Sequence, residues 1–149
     1  MSNSLVVRNP RVATNPFAAS NPLVGRIGDP NFIILYVRDA SESAALYADL
    51  FGKQPIMSTA EFCAFHLDSG VTFGLWTRSD VEPAPATHGG GSEICFPVAD
   101  DAAVRATHKA WSWNGLKIVQ EPTEMDFGLT FVALDSDGHR LRVYAPRMS

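Results

Sequence analysis

Any chemistry in this chain has to be assembled from four histidines, two cysteines and scattered carboxylates, and their spacing offers little to catalysis. His66, His88, His108 and His139 stand far apart, and none lies two or four residues from another. Those are the separations that set two imidazoles on one strand or helix face for a metal. His66 falls in a strand-like run, His88 in a glycine-rich stretch, His108 in a helical one and His139 beside a turn, all places that suit solvated or core histidines. Cys63 and Cys95 lack a Cys-x-x-Cys partner, so free buried thiols in a reducing cytoplasm are expected. There is no Gly-x-Ser-x-Gly elbow and no phosphate loop. The exception is Arg140, Arg142 and Tyr144, which alternate with Leu141 and Val143. Alternation puts both guanidiniums and the phenol on one strand face, which is either solvated or the wall of a cavity.

The elements around these residues read as a repeat. Phe32–Val37 is a continuous apolar run, expected to be a strand buried on both faces. Asp39 or Ser41 can cap a helix to about Leu50, with Ala44, Ala45, Tyr47, Ala48, Leu50 and Phe51 inward and Gly52 as its stop. Strands are expected at 54–58, 61–67 and 71–77, the last two joined by a turn at Asp68-Ser69-Gly70. After a Pro- and Gly-rich linker at 79–91 the order returns. Strand 93–98 precedes helix 100–113, which stops at Gly115, and strands 117–120, 129–134 and 140–144 follow. Asp135-Ser136-Asp137-Gly138 supplies the last hairpin turn, its aspartates capping their own backbone. Glu121-Pro122 reads as part of a turn. The chain is therefore expected to be α+β, a duplicated βαβββ unit with module one at 31–78 and module two at 92–146, inside a domain spanning 30–149. Residues 1–29, with Asn-Pro at 9–10, 15–16 and 21–22, read as a flexible arm whose Val6, Phe17, Leu23 and Val24 can lie across a partner.

Bulk properties exclude some functions. With 149 residues, 46% of them hydrophobic, the chain can bury a core, and a net charge of −4 without a basic run argues against nucleic acid. No apolar run approaches the ~20 residues of a membrane span, and no charged start precedes an apolar core, so neither a membrane partner nor a signal peptide is expected.

The residues Leu35-Tyr-Val-Arg-Asp39, Ser43…Leu46-Tyr47, Phe127-Gly128 and Asp135-Ser-Asp-Gly-His139 resemble the glyoxalase / bleomycin-resistance / extradiol-dioxygenase (vicinal oxygen chelate) superfamily over roughly 31–146. Within it the chain looks most like the phenazine antibiotic resistance proteins, through Ala64-Phe65, Ser92-Glu-Ile94, Glu121-Pro122, Thr130-Phe131 and Arg142-Val143. The resemblance implies two curved half-barrel sheets enclosing a cavity, usually within a homodimer. It also implies four cavity positions that hold a divalent metal in enzymatic members, here Phe32, Gly74, Glu93 and Arg142. Two of these lack a donor and one is a cation, so neither metal nor cofactor is expected. Glu93 and Arg142 are instead expected to converge as a bidentate pair in the place of the metal. Such a neighbour lowers a carboxyl pKa and opposes the remaining catalytic idea, Glu93 as a lone general base.

On that frame, alternation turns Phe32, Ile34 and Tyr36, then Thr72, Gly74 and Trp76, toward the cavity. In module two it turns Glu93, Cys95, Pro97, Arg140, Arg142 and Tyr144 the same way. Trp76 is the foremost stacking platform and Phe127 the second, with Gly128 letting backbone approach a ligand. Phe62 and His66 are further candidates on a strand whose parity is ambiguous. Trp111 and Trp113, at a helix end, suit packing against the sheet or a partner. The expected function is capture without turnover of a planar aromatic molecule, an antibiotic of phenazine or bleomycin type, by a cytoplasmic homodimer. The alternative is a glyoxalase-like metal-dependent lyase or dioxygenase with displaced ligands.

Overall fold

The register of the strands decides which face of each sheet is free to meet a ligand. A computed structural model describes residues 28–147; the arm over 1–29, including Val6, Phe17, Leu23 and Val24, lies almost wholly outside the described residues. The first half builds β1 (Phe32–Val37), α1 (Ala40–Phe51), β2 (Met57–Ser58), β3 (Phe62–His66) and β4 (Thr72–Thr77). The second builds β5 (Glu93–Pro97), α2 (Asp101–Trp113), β6 (Lys117–Met125), β7 (Gly128–Leu134) and β8 (Arg140–Pro146). Each half forms a four-stranded mixed sheet, ordered β1-β4-β3-β2 and β5-β8-β7-β6, with its first and last strands parallel. One α+β arrangement thus occurs twice.

The aspartates ahead of each helix set its start. Asp39 accepts from the Glu42 N–H at 3.1 Å and Asp100 from the Ala103 N–H at 2.8 Å, each satisfying a donor that the first turn leaves open. Residues on one face of the first sheet, Leu35, Val37, Cys63, Phe65, Phe73 and Leu75, are buried with Ala40, Ala44 and Tyr47 of α1. In the second sheet Leu129, Phe131, Ala133, Val143 and Ala145 close on Val104 of α2. Each fully buried large apolar side chain contributes roughly 2–3 kcal/mol. Trp111 packs its ring edge-on to Phe131, whereas Trp113 is 90% exposed.

Three local expectations are corrected. β1 is not buried on both faces: Phe32, Ile33, Ile34 and Tyr36 are 38–50% exposed and only Leu35 and Val37 are covered. It is an edge strand with a helix on one side alone, so its apolar run faces outward. Ala45 is exposed, on the outer side of α1. Glu121 and Pro122 lie inside β6, not in a turn. Pairing with β7 shifts register between Ile118 and Gln120 and again between Gln120 and Thr123, and a bulged edge strand tolerates proline.

A buried polar contact joins the halves. Asp135, 7% exposed, accepts the Tyr47 hydroxyl on Oδ2 at 2.7 Å and the backbone N–H groups of Asp137 and His139 on Oδ1 at 2.9 and 2.8 Å. Burial first, and then the charge of Asp135, push the Tyr47 hydroxyl far above the ordinary phenol range. The folded state therefore favours the protonated phenol. Its contribution is complete below the unfolded value of about 10 and is lost as pH rises beyond it. Tyr47→Phe is expected to cost about 2 kcal/mol at neutral pH, the worth of a bond to a charged acceptor. It should also flatten the fall in stability above pH ~10. Urea unfolding across that range checks both, and equal slopes for the two proteins would contradict the assignment.

Candidate functional site

The faces not covered by helices carry the candidate residues, in two groups. In the first sheet, Phe32, Ile34 and Tyr36 pair with Thr72, Gly74 and Trp76, which pair in turn with His66, Ala64 and Phe62. All of these share the open face, which also resolves the parity of β3. Phe32 and Phe62 lie 6.2 Å apart, Phe62 and Trp76 meet edge-on at 6.2 Å, and Tyr36 and Trp76 do so at 6.3 Å. The four rings form a connected row, Phe32–Phe62–Trp76–Tyr36, with Phe62 and the Trp76 indole in its middle. A glycine at 74 leaves room for that row, since a Cβ there would stand 2.7 Å from the Phe62 ring and 2.9 Å from that of Phe32. His66, exposed at the far end of β3 opposite Thr72, touches none of these rings.

In the second sheet the centre is Arg142. Its Nε donates to Glu93 Oε1 at 2.9 Å and its Nη2 to Glu93 Oε2 at 2.8 Å. Nη1 donates to Gln120 Oε1 at 3.1 Å and to Thr130 Oγ1 at 3.2 Å, while the Thr130 hydroxyl donates to the Val143 carbonyl at 2.9 Å. The fork is thus engaged on both prongs. The guanidinium also lies 5.7 Å from the Phe127 ring centroid, and Tyr144 meets Phe127 edge-on at 6.0 Å. Hydrogen bonds from Arg142 hold the Glu93 carboxyl below its usual range, with burial a smaller opposing influence, and Glu93 in turn raises Arg142. A carboxylate so held is a poor general base at neutral pH. Of the two thiols expected to be buried only Cys63 is; Cys95 is exposed on the same face as Arg142, its thiol 3.8 Å from Glu93 Oε1, and partial burial followed by the Glu93 charge raises its pKa.

The residues at the four positions that the resemblance points to for a metal do not fit one. Phe32 and Gly74 offer no donor, and the Arg142 guanidinium occupies both oxygens of Glu93. Among the described residues no three His, Cys, Asp or Glu side chains gather closely enough to hold an ion, and no buried side-chain nitrogen or oxygen lacks a partner.

Gly128 has a different reason for being glycine than ligand approach. It is buried at φ +139°, and a Cβ would meet the Ala145 carbonyl oxygen at 2.0 Å. The crowding comes from the neighbouring strand. Phe127, 41% exposed, borders a cleft of about 550 Å³ with Gln120, Thr123 and Met125. No ring contact or hydrogen bond among the described residues joins the aromatic row to the Arg142 group. Gln120 and Thr130 are the members that sequence reading missed. Thr130 had a signal, as the lone polar residue in an apolar strand, whereas the bulges of β6 hide the parity of Gln120.

A family model described as the Glyoxalase/Bleomycin resistance protein/Dioxygenase superfamily matches residues 29–143. The phenazine antibiotic resistance protein EhpR of Enterobacter agglomerans is 27% identical over 124 residues, 81% of this chain and 95% of that protein. The solution structure of protein ATC0852 from Agrobacterium tumefaciens is 43% identical, covering 82% of this chain and all of that one with a TM-score of 0.76. A glyoxalase-related enzyme from Fulvimarina pelagi shares the fold at 20% identity and a TM-score of 0.69, over 80% of this chain and 88% of that one.

Proposed function

Because the chain belongs to the glyoxalase/bleomycin resistance protein/dioxygenase superfamily, we propose that it captures a planar aromatic molecule of phenazine or bleomycin type and releases it unchanged. One observation carries this reading: Arg142 and Glu93 saturate each other where metal-dependent relatives need donors. The row Phe32, Phe62, Trp76 and Tyr36 supports the ligand class, since exposed rings recruit flat aromatic surface at roughly 0.5–1.5 kcal/mol per stack beyond area burial. So does the likeness to a protein named for phenazine resistance.

In this reading Trp76 is the platform, Phe127 and Tyr144 form a second wall, and Arg142 with Glu93 sets the polarity between them. Phe32, Tyr36 and Phe62 extend the aromatic surface; His66 lies on the same face and Gly128 follows Phe127, neither with a stacking role. A homodimer belongs to the same proposal. The open aromatic face and the outward apolar side of β1 are surfaces that a second copy can cover, bringing the aromatic row of one subunit toward the Arg142 group of the other.

Titration with phenazine and with bleomycin, read by tryptophan quenching, tests capture. Saturable quenching is expected, and Trp76→Ala should weaken affinity roughly fivefold to tenfold, the worth of one lost stack. Protection of cells should scale with protein amount, and no product should form. A stoichiometric divalent ion in the purified protein, or consumption of the ligand, would decide for the lyase or dioxygenase alternative. Light scattering that returns one chain's mass would remove the dimer.

A further inference from the structure

A cleft of about 930 Å³, larger than the one beside Phe127, lies on neither open face. It forms where the segment after β4 passes the end of β1 and the Asp135–Gly138 turn, and Arg38, Arg78, Ser79, Pro85, His88 and Ser136 are among its walls. Its frame is fixed by specific contacts. The Arg38 backbone N–H donates to Asp137 Oδ1 at 2.8 Å, and His139 Nε2 donates to the Tyr36 carbonyl at 3.0 Å. Gly89 packs so closely that a Cβ there would stand 2.6 Å from His139 Nδ1, and Val81 is buried beneath. The stretch read as a linker is therefore docked, and the cleft is preformed.

Its charges are not balanced. The Arg38 guanidinium pairs with Glu42 on the surface. Arg78, partly buried after β4, forms no ion pair and no side-chain hydrogen bond among the described residues. A guanidinium drawn partly out of water without an acceptor costs free energy that a bound anion would recover. Ser79 and Ser136 line the same space, and Val81 and Pro85 supply an apolar side. Asp137, also in the wall, disfavours a dianion there.

We propose that this cleft is a second ligand site, which takes a small organic carboxylate on the Arg78 fork with the ligand's apolar part against Val81 and Pro85. The site is separate from the aromatic row and stands whether or not that row captures an antibiotic.

Amide chemical-shift mapping on the full chain tests it, with sodium benzoate as probe and benzyl alcohol as the neutral control. Benzoate should shift the Arg78, Ser79, Ser136 and Gly138 signals saturably, and benzyl alcohol should not. Arg78→Gln should raise the benzoate Kd about tenfold or more, the ratio expected when a charge-assisted bond is lost. Arg78→Lys keeps the charge without the fork and should fall between the two. The remaining signals of both variants should overlay the parent's. Shifts centred on Trp76 and Phe127, a response that never saturates, an equal response to benzyl alcohol, or an unchanged Kd in Arg78→Gln would each overturn the assignment.

Discussion

Gly128→Ala is expected to be strongly damaging for so small a change, lowering stability by about 4 kcal/mol. Two causes add. The backbone sits at φ +139°, where an L side chain is strained, and the new methyl would stand 2.0 Å from the Ala145 carbonyl oxygen. That oxygen belongs to β8, which pairs with β7 along its whole length, so it cannot retreat without parting the strands. Thermal unfolding should move down by about 10 °C or more. Gly74→Ala makes a useful contrast. The nearest atoms to its new methyl are the rims of the Phe62 and Phe32 rings, side chains and not backbone, so the fold should survive while the aromatic row is displaced. A Gly128→Ala protein as stable as its parent would show that β7 and β8 approach less closely at this point.

Arg142→Ala is expected to cost about 2–3 kcal/mol. The guanidinium satisfies Glu93, Gln120 and Thr130 at once, and removing it leaves a partly exposed carboxylate and two polar side chains without their shared donor. The side chains of Arg142 and Glu93 are 16% and 28% exposed, which places the figure below that for a fully enclosed pair. Sign and pH follow from the Glu93 shift. Its folded pKa is depressed, so the stabilisation is present above the ordinary carboxylate value and is lost as pH falls through the folded one. The gap between parent and Arg142→Ala should therefore narrow below pH ~4. Replacing both partners, as Glu93→Met with Arg142→Met, should recover much of the loss, because the cost lies in the orphaned charge. Urea unfolding at several pH values measures all three. A gap that stays constant with pH would mean that Arg142 acts through packing on Phe127 and not through Glu93.

The helices and the repeated strand order were legible because their signals are local: Asp39 and Asp100 cap by their own side chains, and alternation along β8 sorts Arg142 from Val143. Signals that depend on a neighbour mislead. The run Phe32–Val37 looks like a strand covered twice, but being covered depends on what lies beyond the strand, and β1 is an edge. Pro122 looks like a turn residue because proline lacks a donor, yet a bulged edge strand asks for none there. Gly128 after Phe127 suggests room for a ligand, whereas the close approach it permits is that of the Ala145 carbonyl. Glu93 and Arg142 could be brought together only through the family frame, and that frame is silent on Gln120 and Thr130.

The contact between Tyr47 and Asp135 has a consequence for the order in which the protein is made. The two residues are 88 positions apart. On the ribosome the first βαβββ unit emerges with a phenol on the inner side of its helix and no carboxylate to receive it. That unit can collapse around Phe65, Phe73 and Leu75, but its helix-to-sheet seam stays polar and unmatched until the last hairpin has been synthesised and turned back. A duplicated fold of this kind invites two independent folding events, domain by domain. Here one hydrogen bond of long sequence separation ties the helix of the first unit to the last hairpin of the second.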